Sequence, residues 1–272
     1  MTRWRWLLVL LAVALGVAFA ARWISGGADR EDVPRACLGP DGVDPACRFQ
    51  FELARKYGAR VYSQGNEELL IRDFFQDRRG GFFLDVGASD WKDDSTTALL
   101  EERLGWSGIA VDANPEFREG YVQHRPRTRY FTFFVSDKAD EKADFYIVDA
   151  ATKESTGVRE RMDLYRQAFG DGVYRKVEVQ TTTVNALLDH EKVTKVDFLS
   201  LDIEGYEPMA LAGFDIDRFR PDLACVEVKG ATEDAIDGFF AAHGYVEIRK
   251  YRLLDAANRY YAPKGAVPAA TE

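Results

Sequence analysis

The alternation of apolar and polar positions changes period repeatedly along this chain, and each change marks an element. Residues 49–57 and 66–76 read as helices; in the second, Leu69, Leu70, Phe74 and Phe75 share one face. Short apolar runs bounded by turn residues predict strands at residues 82–86, 109–112, 130–135, 196–203, 223–228, 245–250 and 258–262. Residues 144–148 and 177–183 are extended, the second by its β-branched content. Helical patterns follow at residues 184–190, 207–213 and 232–243. Strands that alternate with helices define an α/β fold, a doubly wound, mainly parallel sheet with helices on both faces. The last two strands are joined without a helix of useful length, so an antiparallel end strand is expected. No internal repeat or low-complexity tract interrupts this order.

The amino terminus stands apart. Residues 6–21 form an uninterrupted apolar run behind Arg3 and Arg5, with Trp4, Trp6 and Trp23 at its ends. The run is short for a spanning helix of about 20 residues, although Arg22 can snorkel and Trp23 and Ile24 extend it. We expect residues 1–24 to be a retained single-pass membrane anchor. The alternative is a signal segment cleaved after Ala18-Phe19-Ala20, which leaves a secreted or lumenal protein. Residues 25–48, rich in Gly, Pro and Asp, read as an exposed linker, and residues 49–272 as the functional domain. Within the linker, Cys37 and Cys47 could close a small loop in an oxidising compartment or stand as free thiols. Cys225 lies in an apolar strand and reads as a small buried hydrophobe.

Composition narrows the function more than the fold. Hydrophobic content of 46% and charged content of 30% are ordinary for a globular protein. The net charge of −9, with no basic run interleaved with aromatics, argues against a nucleic-acid partner. Residues 152–176 hold Arg159, Arg161, Arg166, Arg175 and Lys176 with Tyr165, Phe169 and Tyr174. We expect a solvated amphipathic helix there, with a substrate-recognising lid as the alternative.

Candidate chemistry concentrates in two places. The first is FFLDVGASDWKDDSTTALLEERLGWSGIAVDANP, residues 82–115. An apolar strand meets a glycine turn, a helix and a second strand that ends on an acid, which is the first unit of a nucleotide-binding sheet. The G-x-G-x-x-G pattern is missing, and Asp90, Asp93 and Asp94 stand where a pyrophosphate would be repelled. A nicotinamide cofactor is therefore disfavoured. S-adenosylmethionine, with a sulfonium, an ammonium and no phosphate, suits the charge. Gly87 lets the backbone pass close to a ligand. Asp112 lies 25 residues beyond Gly87 and can accept both hydroxyls of a ribose. Asp93, Asp94 and Ser95 read as helix caps. Ser136 and Asp137 follow the third strand, level with an adenine ring or simply in a turn.

The second place is LDIEGYE, residues 201–207. Asp202 and Glu204 start on one side of a strand and end beside its carboxyl terminus. One can hold a ligand ammonium and the other can take a proton from a hydroxyl. Oxygen-only ligation of Mg or Ca by Asp202, Glu204 and Glu227 is conceivable, but we assign no metal. No nucleophile triad and no zinc spacing occur.

Taken together, YSQGNEELL (62–70), GFFLDVGASD (81–90), TTALLEERLGWSGIAVDANP (96–115), VSD (135–137), TTTVNALL (181–188), DFLSLDIEGYEPMALAGFD (197–215), RPDLACVEV (220–228) and HGY (243–245) resemble the FkbM-family methyltransferases. The resemblance implies a Rossmann-like class I methyltransferase fold. It also implies S-adenosylmethionine-dependent methylation, usually of a hydroxyl on a glycan or small metabolite. By matched motif Gln64, Asp85, Gly87, Ala88, Asp90, Asp112, Asn114, Ser136 and Asp137 are the expected cofactor residues. Asp202 and Glu204 are expected at the reacting end, and Ser63 with Gln64 closes over the cofactor. The chain departs from the family where Ser89 replaces an asparagine and Trp91 a glycine. An indole there is expected to narrow the methionine end of the site, and it motivates the rival reading of a non-catalytic module that kept the fold.

Overall fold

The computed structural model describes residues 37–39, 42–148, 155–156 and 174–266. The chain divides into two units, residues 1–59 and 60–272. The anchor or signal segment lies outside the described residues, as does much of the linker. Among the described residues no helix is long and apolar enough to cross a membrane.

In the first unit, part of the expected spacer is structured. Strand β1 (Leu38–Gly39) pairs antiparallel with β2 (Gly42–Val43), and a disulfide joins Cys37 to Cys47. Helix α1 (Pro45–Tyr57) follows. It begins earlier than the apolar periodicity shows, because Asp44 caps it by accepting from Ala46 N and Cys47 N, and Pro45 fits its first turn.

The second unit holds the sheet. Helix α2 (Glu67–Phe75) leads into β3 (Phe82–Val86), α3 (Ala98–Leu104), β4 (Ser107–Asp112), α4 (Arg118–His124) and β5 (Thr128–Thr132). After an excursion come α5 (Val184–His190), β10 (Phe198–Leu201), α6 (Glu207–Ala212), α7 (Ile216–Phe219), β11 (Leu223–Glu227), α8 (Glu233–Ala242), β12 (Tyr245–Glu247) and β13 (Asn258–Pro263). The seven strands lie in the order β12-β13-β11-β10-β3-β4-β5. Every neighbouring pair from β5 to β11 is parallel, and β13 runs antiparallel between β11 and β12. This is the Rossmann-like α/β sheet with its antiparallel end strand. Central strands are buried on both faces, which is why they read as continuous apolar runs: Phe83, Leu84, Val86, Leu199, Leu201, Ala224 and Val226 are each at most 2% exposed. Fully burying each Leu or Phe favours folding by about 1.5–3 kcal/mol.

The excursion forms a second sheet that the sequence did not reveal. The expected third strand, residues 130–135, splits at Phe133: β5 stays in the large sheet, while β6 (Phe134–Val135) joins a four-stranded sheet ordered β6-β9-β7-β8. Here β7 (Lys142–Val148) pairs antiparallel with β9 (Tyr174–Thr182) and with β8 (Ser155–Thr156). Most of the expected amphipathic helix lies outside the described residues. Its carboxyl end, however, is strand: Tyr174, Arg175 and Lys176 pair with Val148, Ile147 and Tyr146. Lys176 bonds Asp144 and Arg175 bonds Glu116, so both cations have partners on the protein itself. Residues 245–250 are also shorter as a strand than expected, because Arg249–Leu253 winds into a 3-10 helix.

Candidate active site

The carboxyl ends of β3, β4, β10 and β11 border one cavity of about 420 Å³. That is where a doubly wound sheet binds its ligands, and the volume falls within the usual range for a small-molecule site. Gln64, Asp85, Gly87, Ala88, Asp112, Asp202 and Glu204 line it together. Asp90, Asn114, Ser136 and Asp137 do not. Asp90 instead accepts from Lys92 N and Asp93 N at 2.9 and 2.8 Å, closing the turn. Asn114 accepts from Glu116 N at 3.0 Å and caps the turn at Pro115–Phe117. Ser136 donates to Asp137 at 3.0 Å and is tied through its backbone to Thr182.

Gly87 has a φ of +82°, and a Cβ added there would sit 1.7 Å from the carbonyl oxygen of Asp202. The glycine is required by the neighbouring strand end as well as by its left-handed backbone, not only by a ligand. Asp85 is 4% exposed and accepts from Thr97 Oγ1 at 2.7 Å. Thr97 in turn accepts from Arg125, whose buried guanidinium lies 2.5 Å from Glu101 and also reaches Trp91 O and Thr128 Oγ1. Asp112 takes Ser89 N–H on one oxygen at 3.0 Å and Asn114 N–H on the other at 2.7 Å. Two backbone donors thus fix the carboxylate at the cavity wall, with lone pairs left for hydroxyl donors. Burial pushes Asp85 and Asp112 each from 3.8 to about 6, against the hydrogen bonds from Thr97 and from the Asn114 and Ser89 amides respectively.

The expected closing segment is held by acids of its own motif. Glu68 accepts from the amides of Val61, Tyr62 and Ser63, and Ser63 forms a parallel bridge with Asp94. Gln64 and Asp94 consequently lie on the same cavity. Of the expected caps, Ser95 accepts from Ala98 N at 3.1 Å, whereas Asp94 has a φ of +63° and faces the cavity.

Beyond the end of β10, Glu207 accepts from Ile203 N and Gly205 N at 3.0 Å each and shapes the loop that carries Glu204. Asp202 lines the cavity and is exposed to solvent there. Burial, then Glu227 and Glu204, raise its proton affinity well above that of an ordinary carboxylate. Lys229, absent from the sequence-based set, contacts Glu204 and lies 2.7 Å from Glu227. Burial works against its charge, but the two carboxylates outweigh it and raise its pKa. Carboxylate oxygens of Asp202, Glu204 and Glu227 lie within 4.8 Å of one another, and the lysine ammonium contacts two of the three, Glu204 and Glu227.

Sequence reasoning also missed the aromatic wall. Phe133, Phe134, Phe145 and Tyr206 line the cavity, and Phe134 meets Tyr206 edge-on at 4.8 Å. Phe145 arrives from the second sheet, which no local pattern could place. Trp91 is a correction of the opposite kind. Its ring stacks on His124 at 4.1 Å, and a Cβ on Gly120 would lie 2.2 Å from it. It is absent from the residues that line the cavity.

A mainly parallel sheet with an antiparallel end strand and an acid-lined cleft at its carboxyl edge is the class I methyltransferase architecture. Residues 85–247 match the methyltransferase FkbM domain, and the chain belongs to that family. Its cofactor is S-adenosylmethionine. Solved structures it is similar to include a TehB-like SAM-dependent methyltransferase from Corynebacterium glutamicum, 13% identical, covering 79% of this chain and 95% of that one with a TM-score of 0.39. Another is precorrin-6y C5,15-methyltransferase from Geobacter metallireducens, 10% identical, covering 71% and 84% with a TM-score of 0.39. No curated protein sequence matches the chain. The cleft fits the cofactor: Asp112 is preset to accept hydroxyls, and Ser89 Oγ at the cavity wall is buried without a partner among the described residues.

Proposed function

We propose that the protein is an O-methyltransferase that acts on a hydroxyl of a glycan or small metabolite. S-adenosylmethionine supplies an electrophilic methyl group on a sulfonium. The chain supplies alignment, which such an in-line displacement needs more than acid–base power. Asp112 would hold the ribose hydroxyls, with Asp85, Gly87, Ala88 and Gln64 around the same ligand. Asp202 and Glu204 would orient the acceptor hydroxyl and take its proton as its oxygen displaces the neutral thioether from the methyl carbon. The carrying observation is that Asp112 and Asp202, 90 residues apart in sequence, face one cavity. The non-catalytic alternative loses its motive, since Trp91 packs against His124.

Calorimetry of the full chain with S-adenosylmethionine is expected to show saturable binding that Asp112→Ala abolishes or weakens at least tenfold, about 1.4 kcal/mol. A folded chain that does not bind, or an Asp112→Ala variant that binds as before, refutes the cofactor placement. Transfer of labelled methyl to a panel of glycans and hydroxylated metabolites is expected, and Asp202→Asn should abolish it.

For residues 1–24 we infer a single-pass membrane anchor, with release to a secreted or lumenal space if the segment is cleaved. The apolar run and the Cys37–Cys47 disulfide, which suits an oxidising compartment, support that placement. Protease protection on intact membranes tests it: a domain digested without detergent on the cytoplasmic side overturns the lumenal assignment.

A further inference from the structure

Three carboxylates converge on the reacting end of the cavity, and Lys229 stands among them. Its ammonium lies 2.7 Å from Glu227 Oε1 and contacts Glu204 Oε2. Among the described residues that line the cavity, it is the one cation. Its position is built rather than incidental. Thr232 N donates to the Lys229 carbonyl at 2.6 Å and Thr232 Oγ1 at 3.0 Å, and Lys229 N–H points back at Thr232 Oγ1 at 3.3 Å. Glu204 reaches the lysine from a φ of +61°, a left-handed backbone that is uncommon for glutamate. Glu207 ties down that loop from below.

Three ionised carboxylates this close repel one another, and one of them must carry a proton unless a cation intervenes. Lys229 removes the repulsion at two. We infer that Lys229 is a positioning residue for the proposed reaction: by pairing with Glu204 and Glu227 it offsets their charge and leaves Asp202 as the group that exchanges the proton. The inference rests on the reading of Asp202 as the base and gives Asp202 and Glu204 separate tasks. The remaining groups around Asp202 do not substitute for the lysine. Asp85 on β3 and Asp112 on β4 border the same cavity and are acids. Cys225 on β11 is a buried thiol whose proton is held by burial. Glu207 on α6 adds negative charge facing Glu227.

The test is a carboxyl-carbon NMR titration of the full chain in detergent micelles, labelled at aspartate. Asp202 is assigned by the resonance lost in Asp202→Asn. Lys229→Met is expected to move the Asp202 midpoint up by about one pH unit or more. Lys229→Arg, which keeps the charge, should leave it in place, and adding Glu204→Gln to Lys229→Met should bring it back down. A lysine that merely packs would leave the midpoint unmoved, and an unmoved midpoint in folded Lys229→Met overturns the inference. If Lys229→Met does not fold, Glu204→Gln alone is expected to lower the midpoint, and no change overturns the inference equally. The base reading fails separately, if Asp202→Asn still methylates the glycan panel at the wild-type rate.

Discussion

Asp85 should make the folded protein less stable at neutral pH, and Asp85→Asn should relieve that. The side chain is 4% exposed, at the end of β3, and its carboxyl rises from 3.8 to about 6. Desolvation is the main cause; the Thr97 hydrogen bond, Arg125 and Ser200 pull against it without prevailing. The folded state therefore holds this proton more tightly than the unfolded chain. Its contribution to stability is greatest below 3.8, falls as pH rises from there to about 6, and is a constant penalty above. At about 1.4 kcal/mol per pH unit, the full penalty is about 3 kcal/mol at most. Asparagine keeps the shape and drops the charge; its carbonyl can accept from Thr97 and its amide can donate to Ser200. Urea unfolding of the two proteins, followed from about pH 4 to about pH 7.5, reads the difference directly. The variant should be the more stable at the upper end by up to about 3 kcal/mol, and the gap should close on acidification. A gap that does not vary with pH, or wild type the more stable at neutral pH, refutes the reasoning. Because Asp85 lines the cavity, the same variant should bind S-adenosylmethionine more weakly, a stability gain against function.

Three further outcomes follow from the packing. Gly87→Ala places a methyl 1.7 Å from the Asp202 carbonyl at a positive φ, and should destabilise by more than about 3 kcal/mol or abolish cofactor binding, checked by thermal unfolding and calorimetry. Trp91→Ala should leave cofactor affinity within about threefold while lowering stability by about 1–2 kcal/mol through the lost His124 stack; a large change in affinity would return the indole to the site. Arg125→Met leaves Glu101 buried without its counter-charge and should lose about 3–5 kcal/mol by urea unfolding, and Arg125→Lys should rescue little, since an ammonium cannot span Glu101, Trp91 O, Thr97 and Thr128.

The order of elements was legible in the chain because it depends on local period. Central strands buried on both faces leave unbroken apolar runs, and helix α5 shows its apolar face within a few residues. The acids at the carboxyl ends of strands, Asp85 and Asp112, and those just beyond β10, Asp202 and Glu204, were legible for the same reason: an acid where a strand gives out at the ligand edge of such a sheet is a local pattern. The β6-β9-β7-β8 sheet was not, since β6 and β9 pair across 47 residues and carry no periodic sign of their partners. That sheet decides the aromatic wall, and it draws Ser136 toward Thr182 rather than toward the cavity.

Composition and motif thus determined by themselves the sheet, the family and the kind of ligand, because burial, turn geometry and charge act over a few residues. Only the tertiary structure decided which acids keep company. It set Lys229 between Glu204 and Glu227, turned Trp91 outward onto His124, and brought the Asp202 carbonyl against Gly87. Those juxtapositions join residues from different strands, and the energy of a contact between charges or rings depends on distance in space, which one-dimensional spacing does not carry.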